Sequence, residues 1–277
     1  MATETSETCN PNTRSSSTSE AKKPGYFPLN ELSHIKHVIG VMSGKGGVGK
    51  SSVTALLALA LQKAGYQVGI LDADITGPSI PRLFGVRRSP ESTGNGIMAA
   101  ATPGGTRIMS LNLLLPHEDD PVIWRGPLIS SAVKQFWTDV IWGDLDYLLV
   151  DLPPGTGDSP LTVLQSLPLD GLVIVSSPQE LAQMVVRKAV KMAEHMNVKI
   201  LGLVENMSYA VCPDCGKEIS VFGPSRAEAA AAAAGIPLLG ILPLDPEFTA
   251  YCDHGQVEVY SGPLLDRAQG FVARITG

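Results

Sequence analysis

Gly44-Lys45-Gly46-Gly47-Val48-Gly49-Lys50-Ser51 decides how the rest of this chain is read. The apolar run from His37 to Met42 precedes it and reads as a buried strand, while Ser52 to Ala64 follows it with Ala and Leu at helical spacing. A glycine-rich turn between strand and helix is the context that gives this spacing its meaning. Glycines 44, 46, 47 and 49 let the backbone turn tightly and aim successive N–H groups at one point, and the new helix adds the positive end of its dipole. A polyphosphate fits there, with Gly44 through Val48 and Gly49 to Ser52 as its cradle. Lys50 brings a compact positive charge to the outer phosphates, and the Ser51 hydroxyl is placed to ligate a magnesium ion bridging them.

A chain of 277 residues with 44% hydrophobic content has room for one large α/β domain and little more. The partition expected is a disordered tail over residues 1–24, rich in Ser, Thr, Asn and Pro, and a single domain over 25–277. With 27 acidic against 21 basic residues, attraction to nucleic acid or anionic lipid is not expected, and nucleotide and protein are the expected partners. No apolar run is long enough to span a membrane, and the tail has neither a secretory nor a mitochondrial leader pattern. Cys9, Cys212, Cys215 and Cys252 are too few and too unevenly spaced for a disulfide framework, which points to a reducing compartment.

Short apolar runs alternate with helical stretches through the body. Strands are predicted at Val38 to Ser43, Gln67 to Asp72, Thr106 to Leu114, Tyr147 to Asp151, Gly171 to Ser176, Ile200 to Glu205 and Leu238 to Leu242. Helices are predicted at Ser51 to Ala64, Ile129 to Ile141, Ser159 to Ser166, Ala182 to Met196, Ser225 to Ala234 and Leu264 to Ile275, and Pro90 to Gly105 reads as a surface excursion. Strands this rich in Val, Ile and Leu are covered on both faces, so the expected fold is a doubly wound, mostly parallel sheet with helices on both sides. Its ligand belongs outside the carboxyl ends of the strands.

Two acidic segments fall at such ends. In Asp72-Ala73-Asp74-Ile75-Thr76-Gly77-Pro78-Ser79 the two carboxylates share a strand face and are placed to act together, unless they only cap the amides of the turn. In Leu148 to Asp158, Asp151 closes an apolar strand where a carboxylate holds magnesium through water, and Gly155, after Pro153-Pro154, can bring its N–H to a terminal phosphate, unless the two prolines only make a rigid turn. A site of this kind works by positioning and charge neutralisation, which suits slow ATP hydrolysis used as a switch. Asn206 closes another strand and has the donor and acceptor that adenine requires, although a turn role is open to it as well.

Cys212-Pro213-Asp214-Cys215 supplies two thiolates, half of the set that zinc or a 4Fe-4S cluster takes, and the chain has no second CxxC. A two-fold dimer would bring four thiolates together. On spacing alone zinc is the commoner occupant, and a half-built zinc ribbon or a redox dithiol fits as well.

These four motifs, in this order across residues 30 to 275, resemble the Mrp-type deviant P-loop ATPases, relatives of MinD and the nitrogenase iron protein. The features that carry the resemblance are Lys45 in GKGGVGKS, DxDxxGPS from Asp72, DLPPGTGD from Asp151, and CPxC after Asn206-Met207-Ser208-Tyr209. The resemblance implies that Lys45 reaches the phosphates of a partner subunit and that Asp74 orients the attacking water, with Asp72 near the metal or supporting it. It further implies that Asn206 reads the base, that Pro243 packs on it, and that Cys212 and Cys215, in an insertion near residues 207–222, hold a bridging, transferable 4Fe-4S cluster. With only Cys9 ahead of the body, the chain resembles the shorter eukaryotic type, which pairs with itself and with a longer relative carrying an amino-terminal four-cysteine cluster. The implied function is an ATP-hydrolysing cytoplasmic scaffold that hands clusters to cytosolic and nuclear apoproteins. The rivals are a MinD-like positioning ATPase and a zinc-bound ATPase. The first wants a basic amphipathic terminal helix, and Leu264 to Ile275 has only Arg267 and Arg274.

Overall fold

The computed structural model describes residues 27–75, 77–115, 126–179 and 182–276. The tail over residues 1–24, with Cys9, lies outside the described residues. Strand β1 (Ser33–Ser43) feeds α1 (Lys50–Lys63), then β2 (Val68–Asp72) and the short α2 (Ile80–Leu83). Small strands follow as β3 (Ser92–Thr93), β4 (Gly96–Met98) and β5 (Ala100–Ala101), before β6 (Arg107–Ser110) and α3 (Gly126–Thr138). Next come β7 (Val140–Ile141), β8 (Gly143–Asp151), α4 (Asp158–Ser166), β9 (Gly171–Ser176), α5 (Ala182–His195) and β10 (Ile200–Glu205). The chain continues as the hairpin β11 (Ala210–Val211) and β12 (Glu218–Ile219), then α6 (Ala227–Ala234), β13 (Leu238–Ile241), α7 (Pro246–Asp253) and α8 (Pro263–Thr276).

The main sheet has the order β13-β10-β9-β1-β8-β2-β6-β5, and every neighbour is parallel except the edge strand β5. β1 lies between β8 and β9, with Ile39 registered on Leu149 and on Gly171. The chain moves outward from β1 in both directions, so the order reverses there and opens a crevice at its carboxyl end. Both faces are covered. Val38 and Met42 of β1 join α3, α4, α5 and α6 in one core, while Ile39 and Val41 join α1, α7 and α8 in the other. That double burial is why the central strands read as unbroken apolar runs. Among the described residues no helix is long and apolar enough to cross a membrane.

Some boundaries differ from those predicted. β6 ends at Ser110 and Leu111–Leu114 is a 3-10 turn, because a leucine run carries no period with which to separate the two. The helix predicted to Ile141 ends at Thr138, and Val140–Ile141 pairs with β4 to close a three-stranded sheet with β3. Part of the predicted excursion over Pro90 to Gly105 is therefore strand: β3 and β4 pair as a hairpin, β5 pairs with β6, and β7 from farther along the chain joins β4.

Candidate functional site: a phosphate loop joined to a cysteine hairpin

The turn from β1 into α1 is a phosphate loop in geometry as well as spacing. Gly47 and Gly49 have φ of 77° and 75°, the left-handed region where a side chain is strained. Gly44 is required by packing, since a Cβ there would stand 1.9 Å from Val185 Cγ1 on α5. The Val48 side chain is buried in the core and pins the loop from below. Ser43, Gly46, Gly47, Gly49, Lys50, Ser51, Ser52, Asp74 and Pro154 line a cavity of about 220 Å³.

The end of β8 completes it. Asp151 is fully buried; its Oδ2 lies 2.7 Å from Lys50 Nζ and accepts from Ser51 Oγ at 2.5 Å, and its Oδ1 accepts from Thr54 Oγ1 at 2.8 Å. Lys50 is itself buried and stands 3.7 Å from Asp74 Oδ2, so one ammonium faces both carboxylates. A buried carboxylate with a hydroxyl against it offers the hard oxygen donors that magnesium takes beside a phosphate loop. Thr54, one helical turn after Lys50, escaped the sequence prediction, although its position i+4 from a phosphate-loop lysine was a usable signal.

Asp72 and Asp74 have different work. Asp72 accepts from Ser79 N (3.0 Å), Ile80 N (3.1 Å) and Ser110 Oγ (3.4 Å) through Oδ2, and from Asp74 N (3.2 Å) through Oδ1. It thereby anchors the turn and the start of α2. Burial, followed by the charge of Asp151, pushes its carboxyl up to about 8 against the pull of Lys50 and the Ile80 amide. Asp74 faces the cavity and accepts from Gly77 N at 3.2 Å.

Three residues make contacts with parts of the chain remote in sequence. Gly155 has φ 95° but donates its N–H to Ser43 O at 2.8 Å, so this amide is engaged with the end of β1 rather than aimed into the cavity. Lys45 does not line its own cavity, and its ammonium bonds Gln179 Oε1, a partner with no sequence signal. Asn206 is buried under the loop, donating from Nδ2 to Val48 O at 3.0 Å, and a Cβ on Gly49 would stand 2.3 Å from that nitrogen. One amide hydrogen is therefore committed to the phosphate loop. Asn206 also lines, with Pro243, Leu244 and Phe248, a narrower pocket that adjoins the loop at Gly49 and Ser52.

From Asn206 the chain leads directly to the cysteines. Met207 takes φ 58°, unusual for a side chain of its size. Ser208 N donates to Leu242 O (3.0 Å), Leu244 N donates to Tyr209 O (2.7 Å), and Ala210 bridges to Leu244. Residues 208–210 are thus laced to the loop that carries Pro243. Arg267 of α8 stacks on Tyr209 at 5.9 Å, and buried Glu205 accepts from Ser208 Oγ at 2.8 Å.

β11 and β12 then hold Cys212 and Cys215 on a tight turn closed by Gly216 N to Cys212 O and Cys212 N to Lys217 O, both 2.9 Å. The Cys215 N–H, the Asp214 N–H and the Cys215 thiol, in that order, hold the Cys212 pKa below its ordinary value. Cys212 is half-buried and Cys215 exposed. Among the described residues no group of three or more His, Cys, Asp or Glu could hold a metal, so the pair finds no further ligand on its own chain there. Val211 and Ile219 on the hairpin strands, and Val221 and Phe222 just after it in sequence, are exposed. Cys252 is buried, which pushes its thiol up to about 11 and leaves it inert.

Comparison with known proteins gives this geometry its relatives. Residues 34–275 match the ParA family model described as NUBPL iron-transfer P-loop NTPase. An iron-sulfur cluster carrier protein of Clostridium perfringens is 49% identical, covering 82% of this chain and 82% of its own length. The cytosolic Fe-S cluster assembly factor CFD1 of Chaetomium globosum is 42% identical over 83% of this chain and 81% of its own length. The solved nucleotide-binding protein of Archaeoglobus fulgidus, in complex with ADP, has a TM-score of 0.75 at 45% identity, covering 84% of this chain and 91% of that one. The MinD cell division protein of Aquifex aeolicus shares the fold, with a TM-score of 0.60 at 21% identity, covering 87% of this chain and 96% of that one. With its phosphate loop, its two acidic strand ends and a match over nearly the whole body, the chain belongs to the ParA/NUBPL iron-transfer P-loop NTPase family.

Proposed function

We propose that this protein is an ATP-hydrolysing scaffold on which a labile 4Fe-4S cluster is assembled between two subunits and passed to apoproteins. The observation that carries the reading is the continuous track from Val48 of the phosphate loop, through Asn206 and residues 207–210, to Cys212 and Cys215. A conformational change at the nucleotide has a short, hydrogen-bonded route to the thiols. The curated relatives named as iron-sulfur cluster carriers support the cargo.

Each residue has a task in this reading. Lys50 and the loop amides neutralise the phosphates, and Asp74 orients the water that attacks the terminal phosphorus as ADP leaves. Magnesium would be held at Ser51 and, through water, at Asp151, where it neutralises phosphate charge. Asp72 keeps the Asp74 turn in place. Exchange of the Gly155 N–H from Ser43 O to a phosphate oxygen makes the Pro153-Pro154 loop responsive to the nucleotide. Lys45, which lies outside its own cavity, serves the phosphates of the partner subunit.

Two thiolates leave a cluster half-ligated, so a second subunit supplies the other two, either another copy or the longer relative with the additional four-cysteine cluster. The exposed apolar side chains about the motif suit such a junction. A cytoplasmic location fits both the reduced thiols and the acceptors.

The test is anaerobic loading with iron and sulfide, followed by transfer to an apo-acceptor with and without MgATP. Wild type should acquire the brown charge-transfer absorption of a cluster and should transfer it at a rate that MgATP alters. Cys212→Ala should acquire none, and Lys50→Ala should acquire it but lose the nucleotide effect. Zinc retained in place of iron, or transfer indifferent to nucleotide in wild type, would overturn the reading.

A further inference from the structure

A cavity of about 720 Å³ shares no lining residue with either nucleotide pocket. Its volume is that of a small-molecule site. One wall is the chain that leaves α2, Phe84 to Glu91; the other is the sheet edge from Met98 to Pro103, with Arg107 of β6 and Gly255. The floor is apolar, with Phe84 and Ala99 buried and Val86 and Met98 half-buried.

The walls are fixed by backbone. A Cβ on Gly85 would meet Gly255 O at 2.5 Å, and one on Gly255 would meet Gly85 Cα at 2.8 Å. Val86 N donates to Pro81 O at 2.8 Å, tying the wall to α2, and α2 begins where Asp72 anchors it. Arg107 is held in the sheet between Gly69 and Ala101.

The charge is lopsided for a chain of net charge -6. Arg87, Arg88 and Arg107 line the cavity with Glu91 as the one carboxylate, and among the described residues none of the three guanidiniums forms an ion pair. Glu258 is not itself a lining residue; its carboxylate stands behind the wall, where it accepts from Thr102 Oγ1, which lines the cavity, and from Gly104 N. A guanidinium presents a rigid fork of donors that matches phosphate and carboxylate oxygens.

We propose that this cavity binds a small amphipathic anion, a phosphate or carboxylate on an apolar body, with the three arginines on its charge and the apolar floor under its body. The site stands independently of the cluster reading. It borders the Asp72–Ser79 turn through α2 without entering the nucleotide site.

The test uses the full chain saturated with MgADP, so that the phosphate loop is filled. Calorimetry would compare 1-naphthyl phosphate, 1-naphthoate, neutral 1-naphthol and inorganic phosphate. One or both naphthyl anions should bind once per chain, at least tenfold tighter than naphthol or inorganic phosphate, and the tighter of the two identifies the acid. Arg87→Gln with Arg88→Gln, both at exposed positions, and Arg107→Gln should each weaken binding tenfold or more, and Arg107→Lys less. MgADP affinity should be unchanged in all of them, which reports that they fold. Absence of binding, equal binding of naphthol, or undiminished affinity in the folded arginine variants would overturn the proposal.

Discussion

Asn206→Ala is the perturbation that separates a base-reading asparagine from one that joins two sites. The substitution removes the Nδ2 donor 3.0 Å from Val48 O, in a place where Asn206 is only 8% exposed. A buried carbonyl left without its donor costs about 1–3 kcal/mol. If that cost falls on the conformation of the phosphate loop that binds nucleotide, affinity drops about 5- to 150-fold. The loss should be equal for ADP and GDP, because the bond at stake is to the loop and not to the base. The same variant should still assemble a cluster, since Cys212 and Cys215 are untouched, but MgATP should no longer change the transfer rate. Fluorescent-nucleotide titration supplies the affinities, and acceptor loading followed anaerobically supplies the rates. A variant that lost discrimination between ADP and GDP while keeping a normal MgATP effect on transfer would refute the role of Asn206 as a joint.

Other expectations concern the two acidic strand ends and the thiols. Lys50→Ala should lower hydrolysis at least about a hundredfold and, by stranding buried Asp151, cost about 3–5 kcal/mol of stability; adding Asp151→Asn should recover most of the stability and none of the activity, read by denaturant unfolding and phosphate release. Asp72, whose pKa is raised from 3.8 to about 8, contributes stability that is complete below about pH 4 and lost as pH rises through about 8. Asp72→Asn should flatten that part of the stability profile in nucleotide-free protein, and an unchanged profile would show that the carboxyl is ionised throughout. Iodoacetamide at neutral pH should label Cys212 well before Cys252, whose thiol is pushed up to about 11, as mapped by peptide mass.

Much of this site could be read in the chain because its chemistry is built from local backbone. A strand, a glycine turn and a helix start are contiguous, so residues 44–52 name their own geometry, and Asp151 announces itself as the polar end of an apolar strand. The Asp72 anchor was half legible, because capping amides is what Asp before Gly-Pro does, but the Ser110 contact comes from another strand. Asn206 was seen and its main bond was not, since Val48 lies 158 residues away and neither residue type requires the other. Gln179 and the Gly155–Ser43 bond were hidden for the same reason. α7 was missed despite a signal: Asp245 caps it by accepting from Glu247 N and Phe248 N, with Pro246 at the first turn. The small sheet of β3, β4 and β7 could not be inferred, because its strands are only two or three residues long and the third joins β4 from 40-odd residues later.

Stoichiometry is the most direct test of a shared centre. Native mass spectrometry of the anaerobically loaded protein, with iron and sulfide measured on the same sample, should find one 4Fe-4S cluster for every two chains, and none in Cys212→Ala with Cys215→Ala. A metal centre complete within a single chain, or a dimer that keeps its cluster when both thiols are gone, would contradict the account.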